Sequence, residues 1–145
     1  MFSKACEYGI RAVIYIASKT SQSSRVSLKE IAEKIDSPEA FTAKILQQLS
    51  RSGIIDSVKG PTGGFAIRKK EVKEVKLIEI VLAIDGNQIF EGCGLGLTAC
   101  SETEPCPVHF EFKAIRDGLK KMLEEANIHE LSEGMIQGLT FLKRN

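Results

Sequence analysis

Cys93, Cys100 and Cys106 fall inside fourteen residues of a chain that holds four cysteines, and His109 follows three positions after the last of them. Thiolate sulfur and imidazole nitrogen are the donors that hold soft and borderline metals. A structural zinc site usually takes its thiolates as tight C-x2-C pairs, whereas six residues separate the first two cysteines here and five the next two. An iron-sulfur cluster suits that spacing better, because it is larger than one ion and tolerates histidine at one iron. Three thiolates and one non-thiolate ligand would complete the set. Gly92, Gly94 and Gly96 flank the first cysteine, and a backbone without Cβ can wrap a bulky group closely. Plain thiols, including a regulatory disulfide, are the other chemistry open to these residues. Cys6 stands apart, on the apolar face of the first helical segment, as a small core residue.

The elements that must position this loop are legible from periodicity. Phe2, Cys6, Gly9, Ile10, Val13, Ile14 and Ala17 recur at helical spacing, predicting a mostly buried helix over 2–19. A polar loop spans 20–25. Ser27 and Glu30 then form a capping box before a short helix over 28–35. Ser37 and Pro38 supply an N-cap and a first-turn proline for a second, longer helix that Gly53 closes. Two helices across a short turn make a helix-turn-helix. Strands over 54–59 and 65–68 follow, joined by the breaker-rich Gly60-Pro61-Thr62-Gly63-Gly64, and predict a hairpin wing. A helix over 77–85 precedes the cysteines. After Pro107, Val108, Phe112, Ile115, Leu119, Met122 and Ala126 recur at alternating intervals of four and three, a seam that suits a partner helix and predicts a homodimer. His129 reads as a charge partner near the end of that helix, and a further helix is expected over 131–141. The fold class is therefore mainly α with a small β-hairpin wing: a winged helix-turn-helix plus a long C-terminal dimerisation helix. Residues 1–76 form the DNA-binding region, and 77–145 the cluster loop and dimerisation helices.

Charge divides along the same line. Residues 1–76 carry fourteen Lys and Arg against eight Asp and Glu, a net of +6, and residues 77–145 carry six against eleven, a net of −5. A localised basic face on an acidic body suits double-stranded DNA. On the second helix, Phe41, Ile45 and Leu49 should face inward. Ala40, Ala43, Lys44, Gln47 and Arg51 then present outward, with Ser37 and Thr42 as further candidate contacts near the start. Gln47 can pair with adenine edges, Lys44 with guanine or phosphate, and the alanines with thymine methyls; each could equally be a plain solvated position. In the wing, Lys59, Thr62 and Arg68, with Lys69 and Lys70, are candidates for backbone contact. A dimer would read an imperfect palindrome with half-sites about one helical turn apart, or a multiple of it. No apolar run approaches the ~20 residues of a membrane span, and thiols without a secretion signal point to a reducing cytoplasm. There is no second histidine near the cysteines, no nucleophile motif and no phosphate loop, so no enzyme is expected.

Glu7-Tyr8-Gly9-Ile10-Arg11-Ala12, the wing Val58-Lys59-Gly60-Pro61-Thr62-Gly63-Gly64-Phe65, and Cys93, Cys100 and Pro105-Cys106-Pro107-Val108-His109 together resemble the Rrf family of bacterial transcription regulators, the IscR/NsrR type, over nearly the whole chain. The resemblance implies a homodimeric regulator, often a repressor, whose cluster tunes DNA binding in response to redox, nitric oxide or cluster supply. It aligns Cys93, Cys100 and Cys106 with the cluster thiolates, and His109 with the histidine ligand of members holding a 2Fe-2S rather than a 4Fe-4S cluster. Glu7 falls where NsrR-like members place an acidic residue that reaches the other subunit's cluster, so it competes with His109 for the fourth position. The first cysteine gap departs by one residue from the five typical of IscR-like members. The alternatives are a thiol- or zinc-based redox regulator without a cluster, and a small iron-sulfur carrier.

Overall fold

The computed structural model describes residues 1–20 and 24–144. Residues 21–23 of the expected loop over 20–25, and the side chains of Lys69 and Lys70, lie outside the described residues.

Helix α1 (Lys4–Thr20) runs through the middle of the molecule, with Cys6, Ala12, Val13, Ile16 and Ala17 fully buried. Such a helix needs neighbours on several sides, and it has them. Helices α2 (Leu28–Lys34) and α3 (Glu39–Arg51), then α5 (Leu77–Ile84) and α8 (Ile128–Ile136), all pack against it. Ser27 caps α2 by accepting the Glu30 N–H at 3.2 Å, which is half of the expected capping box, because the Glu30 carboxylate accepts from the Tyr15 hydroxyl at 2.9 Å. Between the two helices Asp36 takes a left-handed φ of 56°, which a short polar side chain tolerates. The Arg11 guanidinium braces this turn, donating to the Ile35 carbonyl at 2.8 Å.

The wing pairs β1 (Asp56–Val58) with β2 (Gly64–Ala66) in antiparallel register, Ser57 opposite Phe65. Val26 exchanges both backbone bonds with Phe65, so the chain entering α2 joins the hairpin as a third member. Gly64, at φ 126°, makes that approach possible, since a Cβ there would sit 2.7 Å from the Val26 carbonyl oxygen.

One-turn helices α4 (Lys69–Val72) and α6 (Gln88–Glu91) frame α5, and α7 (His109–Glu125) packs on α5 and α6. A single apolar cluster extends from Ile16 and Leu46 to Leu123 and Ile128.

Several local expectations are corrected. Ser37 does not cap α3: Pro38 occupies the cap position, and the Ser37 hydroxyl bonds the Thr42 hydroxyl instead. Leu46 takes the core place expected for Phe41, because the buried positions 42, 45, 46 and 49 centre the inward face between them. Phe41 sits on its rim, edge-on to Tyr8 at 5.7 Å. Arg68 precedes α4 rather than ending a strand. The last helix starts at Ile128, which is fully buried and donates to the Val75 carbonyl at 3.0 Å, and it ends before Gly138 at φ 75°. His129 therefore lies in the first turn of α8, where its N–H bonds the Asn127 side chain, not near the end of α7.

Candidate metal centre and nucleic-acid interface

The cysteines occupy the segment between α6 and α7, without regular structure, and α7 begins at His109 itself. Backbone N–H groups of Leu95 and Leu97 hold the Cys93 thiol below its usual range, with the Cys106 thiol and the Gly96 N–H adding to this. The Leu95 nitrogen stands 3.4 Å from the sulfur. Successive amides turned on one atom form a nest for negative charge of the sort found at iron-sulfur sites. Gly96, at φ 73°, provides the turn, and Gly94 lies so close over the Phe112 ring that a Cβ would meet it at 2.6 Å.

His109 is 4% exposed. Its Nδ1 lies 3.2 Å from the Cys100 sulfur, and its Nε2 is buried with no partner among the described residues. Arg116, two turns along α7, donates from Nη2 to the same sulfur at 3.2 Å and from Nη1 to the Gly92 carbonyl. The loop thus brings its expected donors together as two pairs, Cys93 with Cys106 and Cys100 with His109. Among the described residues, no group of three or more ligating side chains shares one metal position. The donor chemistry nonetheless fits an iron-sulfur group: three half-buried free thiols, an imidazole with an unsatisfied nitrogen, and amides aimed at sulfur.

Glu7 is elsewhere. It lies in the first turn of α1, pairs with Lys4 at 3.2 Å, and no contact links it to the cysteine loop of its own chain among the described residues. Cys6 is fully buried and its thiol is pushed up to about 12, by burial first and then by Asp85.

On α3, Ala40, Lys44, Gln47 and Arg51 are exposed and Ala43 is half-exposed. Thr42 is not available to a ligand. It is fully buried and its hydroxyl donates to the Pro38 carbonyl at 2.7 Å, so with Ser37 it braces the turn. Lys59, Thr62 and Arg68 stand exposed on the wing side. Two structural ties escaped the sequence reading. Gln48 bonds α5, which no local pattern reveals. Arg116 sits seven residues, or two turns, beyond His109, and that spacing does place both on one face.

A helix-turn-helix with a two-stranded wing and an exposed row of cationic and amide side chains along its second helix defines a winged-helix, DNA-binding transcription regulator. A family model described as Rrf2, iron-dependent transcriptional regulator, matches residues 2–134, and the chain belongs to this family. It is a regulator and not an enzyme. A predicted HTH-type transcriptional regulator of Aquifex aeolicus is 30% identical over 133 residues, covering 90% of each chain. The HTH-type transcriptional regulator IscR of Photorhabdus laumondii is 25% identical over 124 residues, covering 86% of this chain and 74% of its own. Among solved structures, the oxidised form of Staphylococcus aureus CymR superposes with a TM-score of 0.72 at 25% identity, over 92% of this chain and 96% of that one. No helix of the described residues is long and apolar enough to cross a membrane.

Proposed function

We propose that this regulator works in the cytoplasm as a homodimer, most simply a repressor, whose affinity for an imperfectly palindromic operator is set by a 2Fe-2S cluster. Residues 1–76 read DNA, and residues 77–145 hold the sensor loop and the dimer helix. Cys93, Cys100 and Cys106 supply the thiolates, and the fourth ligand is His109 or Glu7 of the partner subunit. The observation that carries this reading is the buried His109 imidazole, held against the Cys100 sulfur with one nitrogen unsatisfied. A buried polar atom without a partner is costly unless something binds it. A bound cluster supplies an iron site that oxidation, nitric oxide or iron shortage can alter. The chain's own residues do the rest. The loop leads into α6 and α5, and α5 bonds the reading helix through Gln48 and Ala83, so a shift at the cysteines has a packed route to α3.

Seam residues Phe112, Ile115 and Met122 are 39%, 66% and 49% exposed, while Leu123 of the same helix faces the chain's own core. That exposed flank supports the dimer. Gln47 is the base-reading residue of this proposal, with Ala40 and Ala43 beside it, and Lys44, Arg51, Lys59, Thr62 and Arg68 contact the backbone.

The test is iron, acid-labile sulfide and visible absorption of protein purified without oxygen, together with operator binding before and after cluster removal. Matching iron and sulfide, with loss of colour in either His109→Ala or Glu7→Ala, would establish the cluster and name its fourth ligand. Protein that stays colourless after anaerobic reconstitution would overturn it. A second reading then stands, in which the thiols themselves sense. It is favoured by the adjoining Cys93 and Cys106 thiols and by the likeness to a CymR solved in an oxidised form. Two electrons and two protons would pass from those thiols to a peroxide-class oxidant as the disulfide forms.

A further inference from the structure

One guanidinium closes the first arc of the cysteine loop. Arg116 reaches from α7 to the Gly92 carbonyl at one end of residues 92–100, and to the Cys100 sulfur, 3.2 Å away, at the other. Its charge has no carboxylate partner among the described residues. The neighbouring Asp117 is taken by Lys113 at 3.1 Å. Its Nε is buried and unbonded. A half-buried cation whose donors go to a carbonyl and a sulfur puts positive charge where thiolate ligands would gather on a metal group, and an adjacent positive charge offsets their mutual repulsion. The planar fork also fixes direction as well as charge, so the two ends of the arc are held at a set separation. Arg116 also lines a cavity of about 320 Å³ with Leu82, Phe90, Glu91 and Asp117.

We propose that Arg116 is the positioning residue of the cysteine centre: it clamps residues 92–100 shut, holds the Cys100 sulfur against His109, and balances the negative charge that collects when the thiolates converge on a metal group. The second and third roles rest on the metal-centre reading above, whereas the clamp belongs to the metal-free loop. Arg116 touches no metal itself.

The experiment compares wild type with Arg116→Gln and Arg116→Lys in the full chain, by two measurements. Amide hydrogen exchange across residues 93–100 of metal-free protein reads the clamp, and the rate of iron loss to a chelator after anaerobic reconstitution reads the charge. Arg116→Gln should speed exchange in the arc alone and shed iron about tenfold faster, the scale seen when residues that orient metal ligands are lost. Arg116→Lys should recover iron retention in part and leave exchange fast, since it restores charge without the fork. Wild-type exchange in both variants would overturn the clamp, and wild-type iron loss in Arg116→Gln would overturn the charge role. If wild-type protein takes up no iron, the metal centre fails while the exchange comparison still decides the clamp. Circular dichroism of both variants separates these outcomes from unfolding.

Discussion

The Gln48 side-chain amide donates to the Ala83 carbonyl at 2.9 Å, across thirty-five positions of chain. It ties the reading helix, one residue beyond Gln47, to the last turn of the helix that leads into the cysteine segment. Replacing Gln48 with Leu should change stability by no more than about 1.5 kcal/mol, the net worth of one hydrogen bond. It should also narrow the gap in operator affinity between cluster-loaded and cluster-free protein. Fluorescence anisotropy with both forms at one salt concentration measures that gap. An undiminished gap would remove Gln48 from the coupling route.

Lys44→Ala and Lys59→Ala should each lower the slope of log affinity against log salt by about one, because each removes one phosphate or backbone cation. Gln47→Ala should instead relax base preference at one position and keep the slope. Thr42→Ala should behave differently from all three. Its buried hydroxyl braces the turn, so its loss should cost about 1–3 kcal/mol in urea unfolding. An unchanged salt slope for both lysine variants would move the interface off this face.

Alkylation should separate the thiols. Cys93, Cys100 and Cys106 are half-buried, whereas Cys6 is fully buried and its thiol lies at about 12. Only the thiolate reacts. In metal-free native protein, mass spectrometry should find the three loop cysteines modified by iodoacetamide and Cys6 untouched until denaturant is added. Early labelling of Cys6 would show that α1 opens far more readily than its packing indicates.

The wing anchor carries a pH signature. Arg25 hydrogen-bonds Asp56 at 2.9 Å and holds its carboxyl below the ordinary value of 3.8. A depressed folded-state value means that the pair's stabilisation is present above 3.8 and fades as pH falls through the folded value. Both side chains are partly exposed, so the effect is modest and weakens with salt. Asp56→Asn should lower the denaturation midpoint slightly at neutral pH, and the difference from wild type should shrink as the pH falls below 3.8. A difference that grows with acid would contradict the ion pair.

Ile115 is 66% exposed and contributes little to the fold of its own chain. Ile115→Glu should leave the circular dichroism spectrum intact while placing like charges in the proposed seam. Sedimentation analysis should then report monomers. A dimer of undiminished strength would place the interface on another surface.

Local rules were enough for much of this architecture. Ser27 and Glu30 marked the start of α2, Gly53 at φ 77° closes α3, and the breakers over 60–64 placed the hairpin turn, each acting within a few residues of itself. Periodicity along α7 mixed two faces: Phe112, Ile115 and Met122 are exposed, whereas Leu119 and Ala126 of the same seam pack against the chain's own core. Elsewhere it named an apolar face without its neighbour. Phe41 and Leu46 are both large and apolar, and only the presence of α1 and α5 against α3 assigns the core to Leu46.

What the sequence alone determined, then, was the kind of element at each place and the donor set of one loop: thiols, an imidazole and the glycines that let them approach. The tertiary structure decided which of these meet. It paired Cys93 with Cys106 and Cys100 with His109, brought Arg116 onto Cys100 across sixteen positions, and turned Thr42 inward while leaving Lys44 and Gln47 in solvent. Those choices depend on how α7 and α8 dock against α5 and α1. Docking is set by shape and burial between segments far apart in the chain, which no spacing within a segment encodes.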